Sequence, residues 1–560
     1  MTQPSGERPT VKACHVCEGI RFYYLFSAAD YRVVRCDDCG LIFLNPQPSD
    51  AELGRIYGAN YFLGSETEAG RKLARDIKKA TAKSYLTEIA RYRGRAPGRL
   101  LEIGCGEGDF LELAEAAGWK VTGIEYSEAA GQQARRRLKS GQVVCGELQE
   151  ANLGSAQFDL CVISDVLEHV RSPLNFLREI HRVLKPGGTL FVATPSTDSW
   201  SARLLKQKWM EFKAEHLTYF DQQTLQTALF KSGFREVIVE PGWKILSLEY
   251  VQKHFERFPV PVVTPFVNVV ARLLPTGMRA RHRRVVASGI MAFAQKTAIN
   301  PQPTLSVIVP AYNEAKTFPA MMEALLRKEV PGLRMEIIVV ESNSSDGTRD
   351  LVLEFKNNPR VKVILEERPR GKGHAVRTGL AAATGDYVLI QDADLEYDME
   401  DYDALLEQLI GGRSAFVLGS RHGGRKVLKM RQFTGQTGLS LFVNVGHWFF
   451  TTLVNVLFLQ RFRDPFTMYK VFRRDCLFGL EFECNRFDFD YELLIKLIRK
   501  GYRPMELPVN YRSRSYKEGK KVRLIRDPLS WLGTLVWLRC VKIDPMKVAE
   551  RIHAERPPDA

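Results

Sequence analysis

The sequence predicts an α/β protein built from two doubly wound domains in series, with a small zinc ribbon ahead of them. Three observations predict it. Cys14-x2-Cys17 and Cys36-x2-Cys39 have the spacing of two metal-binding knuckles. Short apolar runs alternate with amphipathic segments in two separate series, the rhythm of parallel strands divided by helices. Each series opens with a strand ending in a distinctive turn: Glu102-Ile103-Gly104-Cys105-Gly106-Glu107-Gly108 in the first, Pro310-Ala311-Tyr312-Asn313-Glu314 in the second.

Taken in order, residues 1–60 are expected to form the ribbon and its lead-in, with four thiolates closing a structural zinc site around Cys14, Cys17, Cys36 and Cys39. Asn45-Pro46-Gln47-Pro48 is extended, and a helix is predicted near Glu68–Tyr92. The first α/β domain is placed at 61–298, with strands at Leu100–Ile103, Val121–Ile124, Leu160–Ser164, Thr189–Thr194, Phe234–Val239 and Gly289–Ala294. An insert at about 242–288 carries an amphipathic stretch and the basic residues Arg279, Arg281, Arg283 and Arg284. It reads either as a membrane-surface element or as a helical cap with a solvated charge run. Asn300-Pro301-Gln302-Pro303 marks a linker at 299–303. The second α/β domain follows at 304–526, with strands at Leu305–Val309, Glu336–Val340, Val361–Leu365 and Tyr387–Gln391. A C-terminal helix and polar tail take up 527–560.

Composition narrows the setting. At 560 residues the chain is too long for one core, and its 45% hydrophobic and 26% charged content is that of a globular protein. A formal charge of +15 with pI about 9.3 suits phosphorylated substrates, anionic lipid or nucleic acid. The polar N-terminus has no signal-peptide core, and ten cysteines do not make a secreted disulfide framework, so a cytoplasmic protein is expected. Leu439–Leu459 is near spanning length but carries Asn444, Gly446, His447 and Asn455. It is read as lying in the membrane interface, peripheral to the inner face of the cell membrane.

The glycine-rich turn lets a cofactor approach backbone closely. With its leading acid and Glu125 at the end of the next strand, it resembles class I S-adenosylmethionine-dependent methyltransferases. That resemblance implies a Rossmann-like domain in which Glu102 faces the methionine part and Gly104, Gly106 and Gly108 shape the turn. It also implies that Glu125 accepts the ribose hydroxyls, Glu147 flanks adenine, and Asp165 of Ser164-Asp165-Val166-Leu167-Glu168-His169 lies beside the cofactor. Trp209 and Glu215-His216-Leu217-Thr218-Tyr219-Phe220 resemble sugar- and quinone-directed members. His216 is the candidate general base, oriented by Glu215 or Tyr219, with a purely structural histidine as the alternative. A cysteine ribbon joined to such a domain resembles enzymes acting on nucleotide-linked deoxysugars. A nucleic-acid methyltransferase is the rival reading. It lacks the Asp/Asn-Pro-Pro-Tyr/Phe motif and a basic-aromatic cluster, so no nucleic acid is expected as partner.

In the second half, Gln391-Asp392-Ala393-Asp394 follows an apolar strand, and period-two geometry sends both carboxylates the same way. Hard oxygen ligands of this kind suit magnesium or manganese, which offset the charge of a departing diphosphate. From Thr304 to Arg523 the sequence resembles family-2 glycosyltransferases of the GT-A fold, near dolichyl- and polyprenyl-phosphate sugar synthases. The resemblance implies a nucleotide-sugar donor held by Pro310, Tyr312, Glu314, Glu341, Lys372, Arg512, Arg514 and Lys520. It also implies Asp392 and Asp394 on the metal, and Arg421 and Arg431 toward the phosphate of a polyprenyl phosphate or lipid-linked glycan. Glu341 stands where relatives carry two aspartates. Glu396 and Asp490 are candidate bases if the acceptor is a hydroxyl. The whole is read as a bifunctional transferase of surface-glycan biosynthesis, with a non-catalytic recruiting first half as the rival.

Overall fold

A computed structural model describes residues 6–28, 30–56, 68–94, 96–257, 263–298, 300, 302–422, 437–514 and 526–555. It divides into two compact units, Met1–Ala298 with the chain from Ala549, and Ile299–Val548. The division falls at the edge of the expected linker.

The first unit begins with β1 (Phe22–Ala28), β2 (Tyr31–Cys36) and β3 (Ile42–Leu44). It continues with β4 (Arg99–Ile103), β5 (Lys120–Glu125), β6 (Gln142–Cys145), β7 (Phe158–Ser164), β8 (Leu184–Pro195), β9 (Thr218–Tyr219), β10 (Phe234–Leu246) and β11 (Arg283–Lys296). Seven of these form one sheet in the order β10-β11-β8-β7-β4-β5-β6. β4 to β8 run parallel, and β11 is antiparallel to both its neighbours. Strands β4, β7 and β8 are buried over most of their length, so they read as continuous apolar runs, as a sheet covered on both faces requires.

One expectation is extended here and one corrected. The ribbon's sheet, β1-β2-β3-β9, is closed by Thr218–Tyr219 from far along the chain. Cys14, Cys36 and Phe43 share one apolar cluster with Ile163, Leu177 and Phe220. The insert expected at about 242–288 is also shorter, because β10 and β11 extend into both its ends, pairing Trp243 with Val286 and Leu246 with Arg283. Arg284 stacks on Trp243, 3.2 Å from the ring centroid, and reaches Glu88 at 3.4 Å. This part of the basic cluster therefore covers a strand pair and is not a free charge run. The insert proper includes the helix Val263–Leu273, whose Phe266, Val269 and Leu273 are exposed.

The second unit contains β12 (Thr304–Ala311), β13 (Arg334–Glu341), β14 (Val361–Leu365), β15 (Tyr387–Ile390), β16 (Phe416–Ser420), β17 (Lys470–Arg473) and β18 (Met505–Pro508). Their order is β14-β13-β12-β15-β17-β16-β18, with β12 to β15 parallel and β17 antiparallel to β15 and β16. The order reverses around β12 and β15, so their C-terminal ends open the crevice in which α/β sheets bind ligands.

The apolar stretch forms a 22-residue helix, Thr437–Phe458, long and apolar enough to cross a membrane, with mean hydropathy 1.5. Its polarity is inside out. Ser440, Asn444, His447 and Thr451 face the protein together with Phe450 and Val454, while Leu441, Phe442, Val445, Trp448 and Phe449 are exposed. In water a helix buries its apolar stripe, and this one buries a mostly polar face and exposes much of its apolar surface.

Candidate functional sites

In the ribbon, Cys14 Sγ lies 3.5 Å from Cys39 Sγ, and Cys17 Sγ lies 3.5 Å from Cys36 Sγ. A disulfide needs about 2.05 Å. Four sulfurs around a zinc ion at about 2.3 Å stand roughly 3.8 Å apart, so the four thiols fit a tetrahedral ion and leave no open position. The second knuckle turns through Gly40 at φ 83°, whose N–H donates to the Cys36 carbonyl.

In the first α/β domain, β4 runs into Gly104, Gly106 and Gly108, all at positive φ, and Gly108 caps the helix Asp109–Ala116. A side chain at Gly104 would meet Val166 Cγ2 at 2.5 Å. Glu125, buried at the end of β5, accepts from Gly106 N–H at 2.7 Å and Ser127 N–H at 2.9 Å. It thus fixes the turn from the position where the resemblance expects the ribose hydroxyls. Glu102 is buried, and burial followed by repulsion from Glu125 pushes its carboxyl well up. Its Oε2 is buried with no hydrogen-bond partner. Glu147 is exposed, its N–H bonded to Glu150 at 3.0 Å.

Beyond β7, Asp165 (φ 53°) pairs with Lys244 of β10 at 3.3 Å, and the carboxylate holds that ammonium above its ordinary range. Here the structure brings two residues of the motif to which the sequence assigns no role, Glu168 and His169, to the candidate base His216: the three hold their polar atoms within 4.8 Å of one another. The two rings meet edge to face at 4.8 Å. Glu168 accepts from Thr194 Oγ1 at 2.8 Å, and burial raises it to about 8, so it carries a proton at neutral pH. Burial and the neighbouring His169 push His216 down to about 3, so its imidazole stays neutral. Neither expected orienting side chain hydrogen-bonds its ring: Tyr219 packs against it at 6.3 Å between centroids but sends its O–H to the Lys213 carbonyl, and Glu215 offers His169 Nδ1 its backbone oxygen. Trp209 is buried, with its indole N–H on Ser201.

In the second unit the crevice gathers charge. Lys372 Nζ donates to Asp392. Arg514 reaches Asp394 at 2.5 Å, Glu314 at 3.0 Å and Glu396 at 3.5 Å. Burial, then Asp392 and Glu396, raise Asp394 to about 7. Carboxylates crowded this closely suit a divalent cation. Glu396, a candidate base, is bonded to Tyr511 O–H at 2.8 Å and Arg514 N–H at 2.9 Å. Asp490 lies 3.5 Å from Lys470. Tyr312 is part-exposed after β12, beyond Pro310.

Glu341 departs from its expected place at the nucleotide. It is fully buried, with one oxygen accepting from Ser344 N–H at 2.6 Å and the other held by Arg349 at 2.5 Å. Its carboxylate is used to fold the turn after β13. Arg421 is buried and bidentate on Asp464, at 2.8 and 2.7 Å. It also lines a cavity of about 500 Å³ with Glu396, Tyr511 and Arg512. Arg431 and Lys520 lie outside the described residues.

One chain therefore carries two sites of transferase type, a glycine-rich cofactor cradle and a carboxylate crevice at a switch point. Comparison with known proteins agrees. Residues 73–239 match the methyltransferase domain model, and 306–475 match the glycosyl transferase family 2 model. The second half is similar to dolichyl-phosphate beta-glucosyltransferases. The Trichomonas vaginalis protein is 28% identical over 44% of this chain and 77% of its own length. The Homo sapiens protein is 29% identical over 41% and 75%, and that of Saccharomyces cerevisiae 28% identical over 42% and 74%. A solved S-adenosylmethionine-dependent methyltransferase from Thermotoga maritima, described as a possible histamine N-methyltransferase, overlaps 44% of this chain and 98% of its own. It does so at 19% identity and TM-score 0.30. The chain is a methyltransferase joined to a family-2 glycosyltransferase.

Proposed function

We propose that the second unit moves a sugar from a nucleotide-sugar to a polyprenyl phosphate or related lipid-linked acceptor, with inversion, and that the first unit methylates a sugar or similar small molecule from S-adenosylmethionine. The observation that carries the first part is the meeting of Asp392, Asp394, Glu314, Lys372 and Arg514 at one crevice, with Arg421 and Arg512 lining the cavity beside Glu396. A magnesium or manganese ion on Asp392 and Asp394 would neutralise charge building on the leaving diphosphate. Lys372 and Arg514 add donors for the same oxygens. Arg421, held in place by Asp464, and Arg512 suit the acceptor phosphate. That phosphate is already an anion, so an oxygen attacks the anomeric carbon without a base while the bond to the diphosphate breaks. The inside-out helix Thr437–Phe458 gives the site an apolar face suited to the membrane surface where such a lipid resides.

In the first unit, S-adenosylmethionine would lie across the glycine turn between Glu102 and Glu125. Neutral His216 is the candidate acceptor-facing residue, with Glu168 and His169 beside it in the same pocket. Burial, which pushes it down to about 3, makes it a hydrogen-bond acceptor that orients a hydroxyl rather than a strong base. Zinc in the ribbon is structural. Isothermal calorimetry tests both halves: S-adenosylmethionine binds wild type and Asp394→Asn equally, and Glu125→Ala weakly. A nucleoside diphosphate with manganese binds wild type but not Asp394→Asn. Equal binding of the diphosphate to both would remove the metal-site assignment.

A further inference from the structure

The crevice contains its own cations. Arg514 turns its guanidinium onto Asp394 (2.5 Å) and Glu314 (3.0 and 3.3 Å), with Nε 3.5 Å from Glu396. Lys372 holds Asp392. Two single charges thus sit on the carboxylates that would receive one double charge. From this we infer that Arg514 is a shared ligand: it occupies the metal carboxylates until the donor's diphosphate draws it away, so that cation and donor bind as a coupled pair. The inference rests on the proposed glycosyl-transfer reading and adds to it an order of events and a residue that sets it.

Electrostatics gives the reason. A dication entering beside an unmoved guanidinium places like charges a few ångströms apart in a half-buried crevice, where repulsion is far stronger than in water. If Arg514 simply swung into solvent, it would give up three carboxylate partners with nothing in return. A diphosphate can offer two oxygens to the guanidinium fork, as a carboxylate does, and carries the charge that a displaced guanidinium needs. The main chain here stays anchored, Arg514 N–H on Glu396 at 2.9 Å and Arg512 N–H on the Glu396 carbonyl at 2.8 Å. The exchange therefore asks only for rotation of one side chain. By linkage, whatever the diphosphate does for the cation, the cation does for the diphosphate.

The test uses the full zinc-loaded chain and manganese, with free ion read by electron paramagnetic resonance, alone and with UDP or GDP. Arg514→Met should bind manganese alone about tenfold tighter than wild type, a difference of about 1.4 kcal/mol. The tightening produced by the diphosphate should shrink by a similar factor. Arg514→Gln gives the same readout if the methionine variant does not fold. Manganese affinity equal to or weaker than wild type in either variant overturns the inference. The underlying reading fails separately if wild type and variants all ignore manganese even with both diphosphates present, or if Asp392→Asn with Asp394→Asn binds it normally.

Discussion

Asp464→Asn is expected to cost the glycosyltransferase unit about 3–5 kcal/mol of stability. The carboxylate is fully buried and receives Arg421 through Nε at 2.8 Å, Nη2 at 2.7 Å and the backbone N–H at 2.9 Å, with His447 at 3.7 Å. Burial alone would raise its pKa, but the Arg421 guanidinium outweighs that and holds it far below the usual carboxylate range. Coulomb attraction across roughly 4 Å at an effective dielectric of about 20 is about 4 kcal/mol, in agreement. Asparagine removes that charge and leaves a guanidinium buried without its counter-ion. With a urea slope near 2.5 kcal/mol per molar for a unit of this size, the unfolding midpoint should fall by about 1.5 M. Hydrogen exchange at β16 and β17 identifies which unit opens. The double variant Arg421→Met/Asp464→Leu should recover more than half the stability, since a well-packed apolar pair replaces a buried ion pair at little cost. It should not recover sugar transfer. A midpoint shift under about 0.3 M for Asp464→Asn would refute the pairing as described.

His216, pushed down to about 3 in the fold against about 6.5 unfolded, binds fewer protons folded than unfolded between those values. Its contribution is therefore present above pH 6.5 and lost as pH falls. Between pH 7.5 and 5 wild type should lose about 2 kcal/mol more than His216→Gln in paired denaturation curves, and parallel curves would contradict the shift. Stripping zinc with a strong chelator should lower the calorimetric transition of the first unit, because the ribbon sheet is closed by β9 of the methyltransferase. An unchanged transition would make the thiols metal-free. Phe442→Asp with Phe449→Asp should cut flotation with anionic vesicles by about a hundredfold or more, since each exposed ring gives about 1.5–3 kcal/mol on leaving water. Unaltered flotation would place the membrane face elsewhere.

Much of this architecture was legible in the chain. Every strand expected in the two α/β domains forms, because buried parallel strands are written as contiguous apolar runs and their turns as glycine or proline clusters. The Asp-x-Asp strand end and the glycine turn were legible for the same reason. What escaped depends on contacts between residues distant in sequence. Nothing near Thr218–Tyr219 announces that it completes a sheet with Ile42–Leu44. Glu341 was read as a ligand for substrate, and Arg421 without its anchor, because their partners, Arg349 and Asp464, are fixed only by folding. Glu168 lay inside a recognised motif, yet its proton depends on burial that no local pattern encodes. The inside-out helix is the instructive case. Its composition suggested a membrane, and only the structure revealed that the polar residues face the protein.

The most direct measurement is mass spectrometry of the lipid fraction after incubating the full chain with polyprenyl monophosphate, magnesium and a panel of nucleotide-sugars. The account predicts a polyprenyl phosphate heavier by one sugar residue with at least one donor, absent for Asp394→Asn, which still binds S-adenosylmethionine. Product formed undiminished by Asp394→Asn, or none with any donor from a chain that binds nucleoside diphosphate and manganese, would contradict it.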